Sequence, residues 1–226
     1  MIEAVIFDMD GTMVDTESAF IDGCLRAQER MGMTPTPDLF LRTTGISATD
    51  ADHMIEEELG PETAELLRPI LQEVTNEIHS QDPVVKPGLI PLMDYLRSQG
   101  IRMGVATSSP QALAWATLDK AGAAPYLEVV VCGDMVPPGR GKPNPDIFLM
   151  ALERLGVPPC RALGIEDSHN GVRALRRAGM TAVMVPDRMP VTGEMEELAD
   201  AILEDLHQVI PYIRGCNACK ERGNQP

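Results

Sequence analysis

Ala4-Val5-Ile6-Phe7-Asp8-Met9-Asp10-Gly11-Thr12-Met13-Val14-Asp15-Thr16 is the stretch that decides the fold. Its first four residues form a short, partly β-branched apolar run, the pattern of a strand buried on both faces of a parallel sheet. The run stops at two carboxylates placed two residues apart, followed by Gly11 and Thr12. Ligands of open α/β sheets gather beyond the carboxyl ends of the strands. Asp8 and Asp10 therefore stand where chemistry is expected, and Gly11 lets the chain turn away at once. Taken alone, Asp-x-Asp-Gly is also what an ordinary strand-end turn looks like.

The second half of the chain repeats one rhythm. Helical patterns over 89–98, 111–120, 146–155 and 172–178 are closed near Gly100, Gly122, Gly156 and Gly179, the glycines supplying left-handed caps. Each is followed by a short apolar run, at 101–106, 128–132, 161–165 and 181–185. Helix and strand in alternation predict a parallel sheet with right-handed crossovers. A last long helix is expected over 193–213.

Between the first strand and that rhythm the pattern is purely helical. Residues 17–31, 38–43, 48–59 and 62–79 carry apolar positions at helical spacing. Gly32, Pro35, Pro37, Gly45, Gly60 and Pro61 punctuate them, and Pro69 is a candidate kink. The fold expected is α/β: a Rossmann-like parallel sheet core from 1–15 and 83–226, with an inserted all-helical domain from 16–82. Charge follows the same division. Residues 15–82 hold 15 acids and four arginines, whereas 83–226 hold 16 acids and 15 bases.

An overall charge of −15 without clustered lysine and arginine excludes nucleic acid as a partner. No apolar stretch approaches a membrane span. Met1-Ile2-Glu3 lacks the basic segment and apolar core of a signal peptide, so a cytoplasmic protein, monomeric or weakly dimeric, is expected. Five scattered cysteines do not form a disulfide framework. Cys216-x-x-Cys219 offers only two of the four ligands of a structural zinc and reads as a frayed terminus with free thiols. His53, His79, His169 and His207 lack metal-ligand spacing, and Trp115 reads as packing.

In a parallel sheet the strand ends share one rim. That rim collects Asp8 and Asp10, Thr107-Ser108-Ser109, Gly133-Asp134, Glu166-Asp167 and Pro186-Asp187. So many carboxylates repel one another unless a cation is bound, and hard oxygen donors favour Mg2+. Lys142 lies in Gly139-Arg140-Gly141-Lys142-Pro143-Asn144-Pro145, a loop stiffened by its prolines. Thr107-Ser108-Ser109-Pro110 lies where a strand becomes a helix, with amides suited to phosphate. Singly, these also read as a surface lysine and a serine cap, and Glu166-Asp167-Ser168-His169-Asn170-Gly171 as a helix cap.

Together the pieces resemble the haloacid dehalogenase superfamily, specifically the β-phosphoglucomutase-like phosphatases with a helical cap. The resemblance spans nearly the whole chain. It rests on Asp8-x-Asp10-Gly11-Thr12 with Asp15-Thr16-Glu17, on Thr107, on Gly141-Lys142-Pro143-x-Pro145-Asp146-Ile147-Phe148, and on Gly164-Ile165-Glu166-Asp167-Ser168-x-x-Gly171. It implies that Asp8 is a nucleophile forming an aspartyl-phosphate and that Asp10 is the general acid and base. It implies that Thr107 and Lys142 hold the phosphoryl oxygens, with Gly11, Ser108 and Ser109 beside them. Asp8, the Asp10 carbonyl, Glu166 and Asp167 are the implied Mg2+ ligands. The loop 42–48 is implied to touch the leaving group through Arg42 and Thr44. Arg42 is equally placed to pair with acids of its own segment.

The departures narrow the resemblance. Dehalogenases commonly lack the second aspartate, whereas Asp10 is present. Phosphonatases need a lysine in the cap, and the first lysine here is Lys86. Sugar-phosphate mutases carry an arginine, a lysine and a histidine where this chain has Ala48, Pro110 and Phe20. A phosphatase acting on small sugar or polyol monophosphates is therefore expected ahead of a mutase. A catalytically silent regulatory protein on the same fold is the alternative of another class. Thr16 and residues 81–85 are the expected hinges.

Overall fold

Six parallel strands stand in the order β3-β2-β1-β4-β5-β6 in a computed structural model describing residues 1–46 and 48–223, without the side chains of Ala48, His79 and residues 219–223. They are β1 (Ala4–Phe7), β2 (Arg102–Thr107), β3 (Val129–Cys132), β4 (Ala162–Glu166), β5 (Thr181–Met184) and β6 (Ala201–Ile202). The expectations for His79, for Cys219 and for the Ala48 side chain lie outside the described residues.

Side-chain alternation along β1 explains why its sequence is apolar without a break. Val5 and Phe7 enter one core with Leu92, Met93 and Leu96 of α5 (Leu89–Ser98) and with Ala114 and Leu118 of α6 (Gln111–Lys120). Ala4 and Ile6 enter the opposite core with Phe148 and Leu152 of α7 (Asp146–Leu155) and Leu175 of α8 (His169–Ala178). Successive strand residues point to opposite faces, and here both faces are covered. Each fully buried side chain of this size contributes about 1.5–3 kcal/mol. At the centre of the sheet Phe7 lies level with Val105 of β2 and Ile165 of β4. The residues just past these strands become neighbours on one rim.

Residues 17–80 contain α1 (Glu17–Arg30), α2 (Pro37–Arg42), α3 (Ala48–Leu59) and α4 (Pro61–Ser80). These helices have their own core, built from Cys24, Leu39, Phe40, Ile55 and Leu67. The chain leaves the sheet and returns to it side by side. Val14 and Val85 form an antiparallel bridge, and Asp15 N donates to Val84 O at 2.8 Å.

The C-terminal quarter departs from the single helix expected over 193–213. It holds α9 (Gly193–Leu198), then β6, then α10 (Val209–Gly223). Asp200 causes the break. Its amide donates to Ala182 O at 2.7 Å and its carboxylate accepts from Ala182 N at 2.8 Å, drawing the chain alongside β5. Asp205 then accepts from the amides of His207 and Gln208 and starts the next helical turn. The terminus expected to fray is helical through Gly223, and Cys216 is a half-buried free thiol within it. Trp115, expected to pack, is 39% exposed, because α6 turns Ala114 and Leu118 to the sheet instead. Among the described residues no helix is long and apolar enough to cross a membrane.

Candidate active site

Lys142 is the only cation at the centre of the rim that is wholly enclosed among the described residues, with 2% of its surface exposed. Its ammonium pairs with Asp8 Oδ1 and, at 2.5 Å, with Glu166 Oε1. Phe148 closes the far side, its ring centroid 5.0 Å from Nζ. Burial alone would depress the ammonium. The carboxylates of Asp8 and Glu166 outweigh it and hold Lys142 above the ordinary lysine range. The proline-bounded loop thus aims its lysine inward across the sheet.

Glu166 ends β4 fully buried. Its second oxygen accepts from Ser168 N at 3.2 Å and from Ser168 Oγ at 3.0 Å, so both oxygens are occupied. Ser168 in turn caps α8 by accepting from Gly171 N at 3.0 Å. Gly171 has no alternative, since a methyl group there would overlap the Glu166 carboxylate. Ser168 thus caps α8, and the same stretch brings the carboxylates of Glu166 and Asp167 to within 4.8 Å of Asp8.

Asp167 is different. Oδ1 accepts from Thr12 Oγ1 at 3.2 Å, but Oδ2 is buried and has no donor. Gly11, at φ +80°, brings its backbone against this carboxylate so closely that any side chain would collide with it. Ligand oxygens of Asp8, Glu166 and Asp167 lie within 4.8 Å of one another. Burial pushes both Asp8 and Asp167 well above the usual carboxylate range, and the surrounding acids push further while Lys142 pulls the other way. One lysine does not balance this group. An orphaned, buried carboxylate oxygen in an all-oxygen donor set fits a hard divalent cation. Glu166, committed to Lys142 and Ser168, is less free to ligate than Asp8 and Asp167.

Asp10 is held by three hydroxyls. Thr16 Oγ1 donates to Oδ1 at 2.5 Å, while Ser109 Oγ and Thr107 Oγ1 donate to Oδ2 at 2.7 and 3.3 Å. Thr107 Oγ1 also accepts from Ser109 N at 3.0 Å. Ser109, read from sequence as a phosphate contact, therefore serves the Asp10 carboxylate. Ser108 Oγ reaches Gly45 O at 3.4 Å, so the loop between α2 and α3 rests on the rim.

Of the two residues expected to touch the leaving group, one lines the cavity shared with Asp8 and Asp10. Thr44 is buried and lines a cavity of about 230 Å3 that opens beside Asp8 and Asp10. Arg42 points away, pairing with Glu58 at 2.8 Å with both side chains about half exposed, and it does not line the cavity. Its alternative, an ion pair within its own segment, is the one the structure contains.

Glu17 was given no chemical role by its position in the sequence. It is 7% exposed, Oε2 has no donor, and its ligand oxygen lies within 4.8 Å of those of Asp167 and Asp187. Burial raises its carboxyl well above the usual range, reinforced by Asp10, Asp8 and Asp187. Asp187 is paired with Lys86 at 2.7 Å. The available signal was a carboxylate on the first helical residue after Thr16, which α1 must bury as it leaves the rim.

The chain is similar to known proteins over most of its length. The chain is 34% identical over 183 residues to a phosphorylated carbohydrates phosphatase of Thermotoga maritima, covering 80% of this chain and 84% of that protein. It is 32% identical over 228 residues to the protein CbbY of Rhodobacter capsulatus, covering 94% and 99%. The crystal structure of CbbY from Rhodobacter sphaeroides in complex with phosphate superposes with a TM-score of 0.73 at 28% identity, over 92% of this chain and 96% of that one. Residues 2–179 match the family model for haloacid dehalogenase-like hydrolases. The chain belongs to the haloacid dehalogenase-like hydrolases.

Proposed function

We propose that this protein hydrolyses small phosphate monoesters of sugars or polyols, with Mg2+, through an aspartyl-phosphate on Asp8. The observation that carries this reading is the pairing of buried Lys142 with Asp8 beside Asp10, which three hydroxyls hold in place. Phosphatases acting on phosphorylated carbohydrates among its relatives support it.

Lys142 restrains Asp8 and keeps one carboxylate oxygen directed at the phosphorus. As Asp8 Oδ attacks, the P–O ester bond breaks and the leaving oxygen takes a proton from Asp10. Asp10 then takes a proton from water, whose oxygen attacks phosphorus and releases Asp8. Thr107, Lys142 and Ser108, whose present bond to Gly45 is long, contact the phosphoryl oxygens. Ser109 and Thr16 keep Asp10 aligned for both proton transfers. Asp8, the Asp10 carbonyl and Asp167 would hold Mg2+, with Glu166 beside them, and the ion supplies positive charge to the phosphoryl oxygens. Several positive groups on one set of oxygens are needed because phosphate monoesters are among the slowest esters to hydrolyse unaided.

Residues 16–82 act as a cap over the core formed by 1–15 and 83–226, hinged at Thr16 and 81–85. The test is release of phosphate from p-nitrophenyl phosphate and acetyl phosphate with Mg2+, and its loss in Asp8→Asn. Absence of turnover in the wild-type protein would overturn the reading and favour a silent regulatory role.

A further inference from the structure

The cavity beside Asp8 and Asp10 is built for one kind of leaving group. Among the described residues, the charged side chains on its wall are Asp8, Asp10 and Glu17, and no lysine, arginine or histidine lines it. The rest of the wall is largely apolar, from Phe20, Ile46, Ala51, Ile55, Ile78 and Leu113. Threonines near them bring no free donor. Thr43, Thr44 and Thr75 donate to the carbonyls of Phe40, Leu41 and Leu71 at 2.8, 2.8 and 2.9 Å, and Thr16 and Ser109 donate to Asp10. Apart from Asp8 and Asp10, the one charged group on this wall among the described residues is an acceptor, the Glu17 carboxylate.

We infer that the leaving group is an uncharged alcohol that lays an apolar face against this wall and turns a hydroxyl to Glu17, and that esters carrying a second phosphate or a carboxylate are rejected. The inference rests on the phosphatase reading and adds the chemistry of the alcohol. A phosphate carries about −1.5 to −2 charges at neutral pH. A second phosphate, lying beyond the groups that serve the transferred phosphoryl, would lose its water against a largely apolar wall whose one further charge is Glu17, with no lysine, arginine or histidine there to pair it. A hydroxyl meets the reverse situation, because it brings no charge and can donate to the carboxylate of Glu17, which lines the cavity. The cavity, of about 230 Å3, has room for a single sugar ring or cyclitol. Deoxy sugars and other monophosphates with one apolar edge are the class that fits.

The experiment is a steady-state panel with Mg2+ on the full chain. Neutral sugar and deoxy-sugar monophosphates are set against bisphosphates of the same sugars and against phosphoglycolate, with p-nitrophenyl phosphate as the common reference. Neutral esters are expected to lead in kcat/KM by about 100-fold or more. If a bisphosphate or phosphoglycolate leads while p-nitrophenyl phosphate is still hydrolysed, the inference fails and the phosphatase reading stands. If no ester is hydrolysed, both fall. Two variants sharpen the result. Leu113→Lys, which adds a cation to a half-buried wall position, is expected to shift the bisphosphate-to-monophosphate ratio upward by about 10-fold; an unchanged ratio counts against the charge argument. Glu17→Gln is expected to raise KM for a hydroxylated ester several-fold more than for its deoxy counterpart. Equal changes for the two esters would remove Glu17 from the proposal.

Discussion

The hydroxyl of Thr16 donates to Oδ1 of Asp10 at 2.5 Å, so the residue at which the chain leaves the sheet also holds the carboxyl to which we assign the proton transfers. One position thus joins the proposed hinge to the proposed acid. Any swing of the helical segment about Thr16 disturbs Asp10, and catalytic alignment is thereby tied to the placement of the helices over the rim. Thr16→Val keeps the shape and removes this donor. We expect kcat to fall by about 10–100-fold with a smaller change in KM, measured on p-nitrophenyl phosphate.

Asp8→Asn removes the proposed nucleophile while leaving Lys142 paired with Glu166. Turnover is expected to fall by at least ~10³-fold. The folded state should persist, since the remaining carboxylate still compensates the ammonium. Circular dichroism and phosphate release measured together check both halves; retained turnover would exclude Asp8 as the attacking group.

Lys142→Met strands buried acids without their cation. Breaking a buried pair from one side costs about 3–5 kcal/mol, so Tm should drop by roughly 10 °C in a chain of this size. Saturating Mg2+ should recover part of that loss, because it restores positive charge to the same group. Differential scanning calorimetry with and without Mg2+ measures this, and an unchanged Tm would contradict the assigned electrostatics.

Mg2+ itself should stabilise the wild-type fold. At one hundred times its dissociation constant a ligand that binds only the folded state adds about 2.7 kcal/mol, and EDTA should reverse the gain. In Asp167→Asn the increment should largely vanish, as the orphaned Oδ2 is the group with most to gain from a cation.

The pH dependence of the metal-free protein has a definite sign. Asp8, Glu17 and Asp167 are all raised, first by burial, so between their unfolded and folded values the folded state binds more protons. Stability then falls as pH increases. The contribution is fully present below the ordinary carboxylate range near pH 4 and is lost as pH climbs through the raised folded values. Tm of the EDTA-treated protein should decline from about pH 5 toward neutrality, and Mg2+ should flatten the decline. A Tm that instead rises across that interval without metal would contradict the raised values.

Much of the site was legible in the chain because its parts are local. A strand that runs out into Asp8-x-Asp10-Gly11 and a strand that ends in Glu166-Asp167-Ser168 each carry their signal within a few residues, as does a proline-bounded Lys142. Alternating helix and strand patterns place these ends on one side of a parallel sheet. What composition and spacing do not carry is partnership. Arg42 can reach a ligand or a neighbour, and only packing of α2 on α3 gives it Glu58. Ser109 can meet phosphate or Asp10, and only the apposition of β1 and β2 selects Asp10. The region after Gly193 misled for the same reason. Its helical pattern yields where Asp200 finds Ala182, a contact between residues 18 apart in sequence.

By itself, then, the sequence determined the order of elements, the split between sheet and helical segment, and the identity of the chemical groups, since each is written in contiguous residues through propensity and periodicity. The tertiary structure alone decided that Lys142 stands between Asp8 and Glu166, that Glu17 is drawn into the acid ring, and that the cavity wall is largely apolar and, among the described residues, without lysine, arginine or histidine. Those outcomes depend on burial and on contacts between distant segments, where desolvation sets both the strength of each charge and the cost of leaving it unpaired.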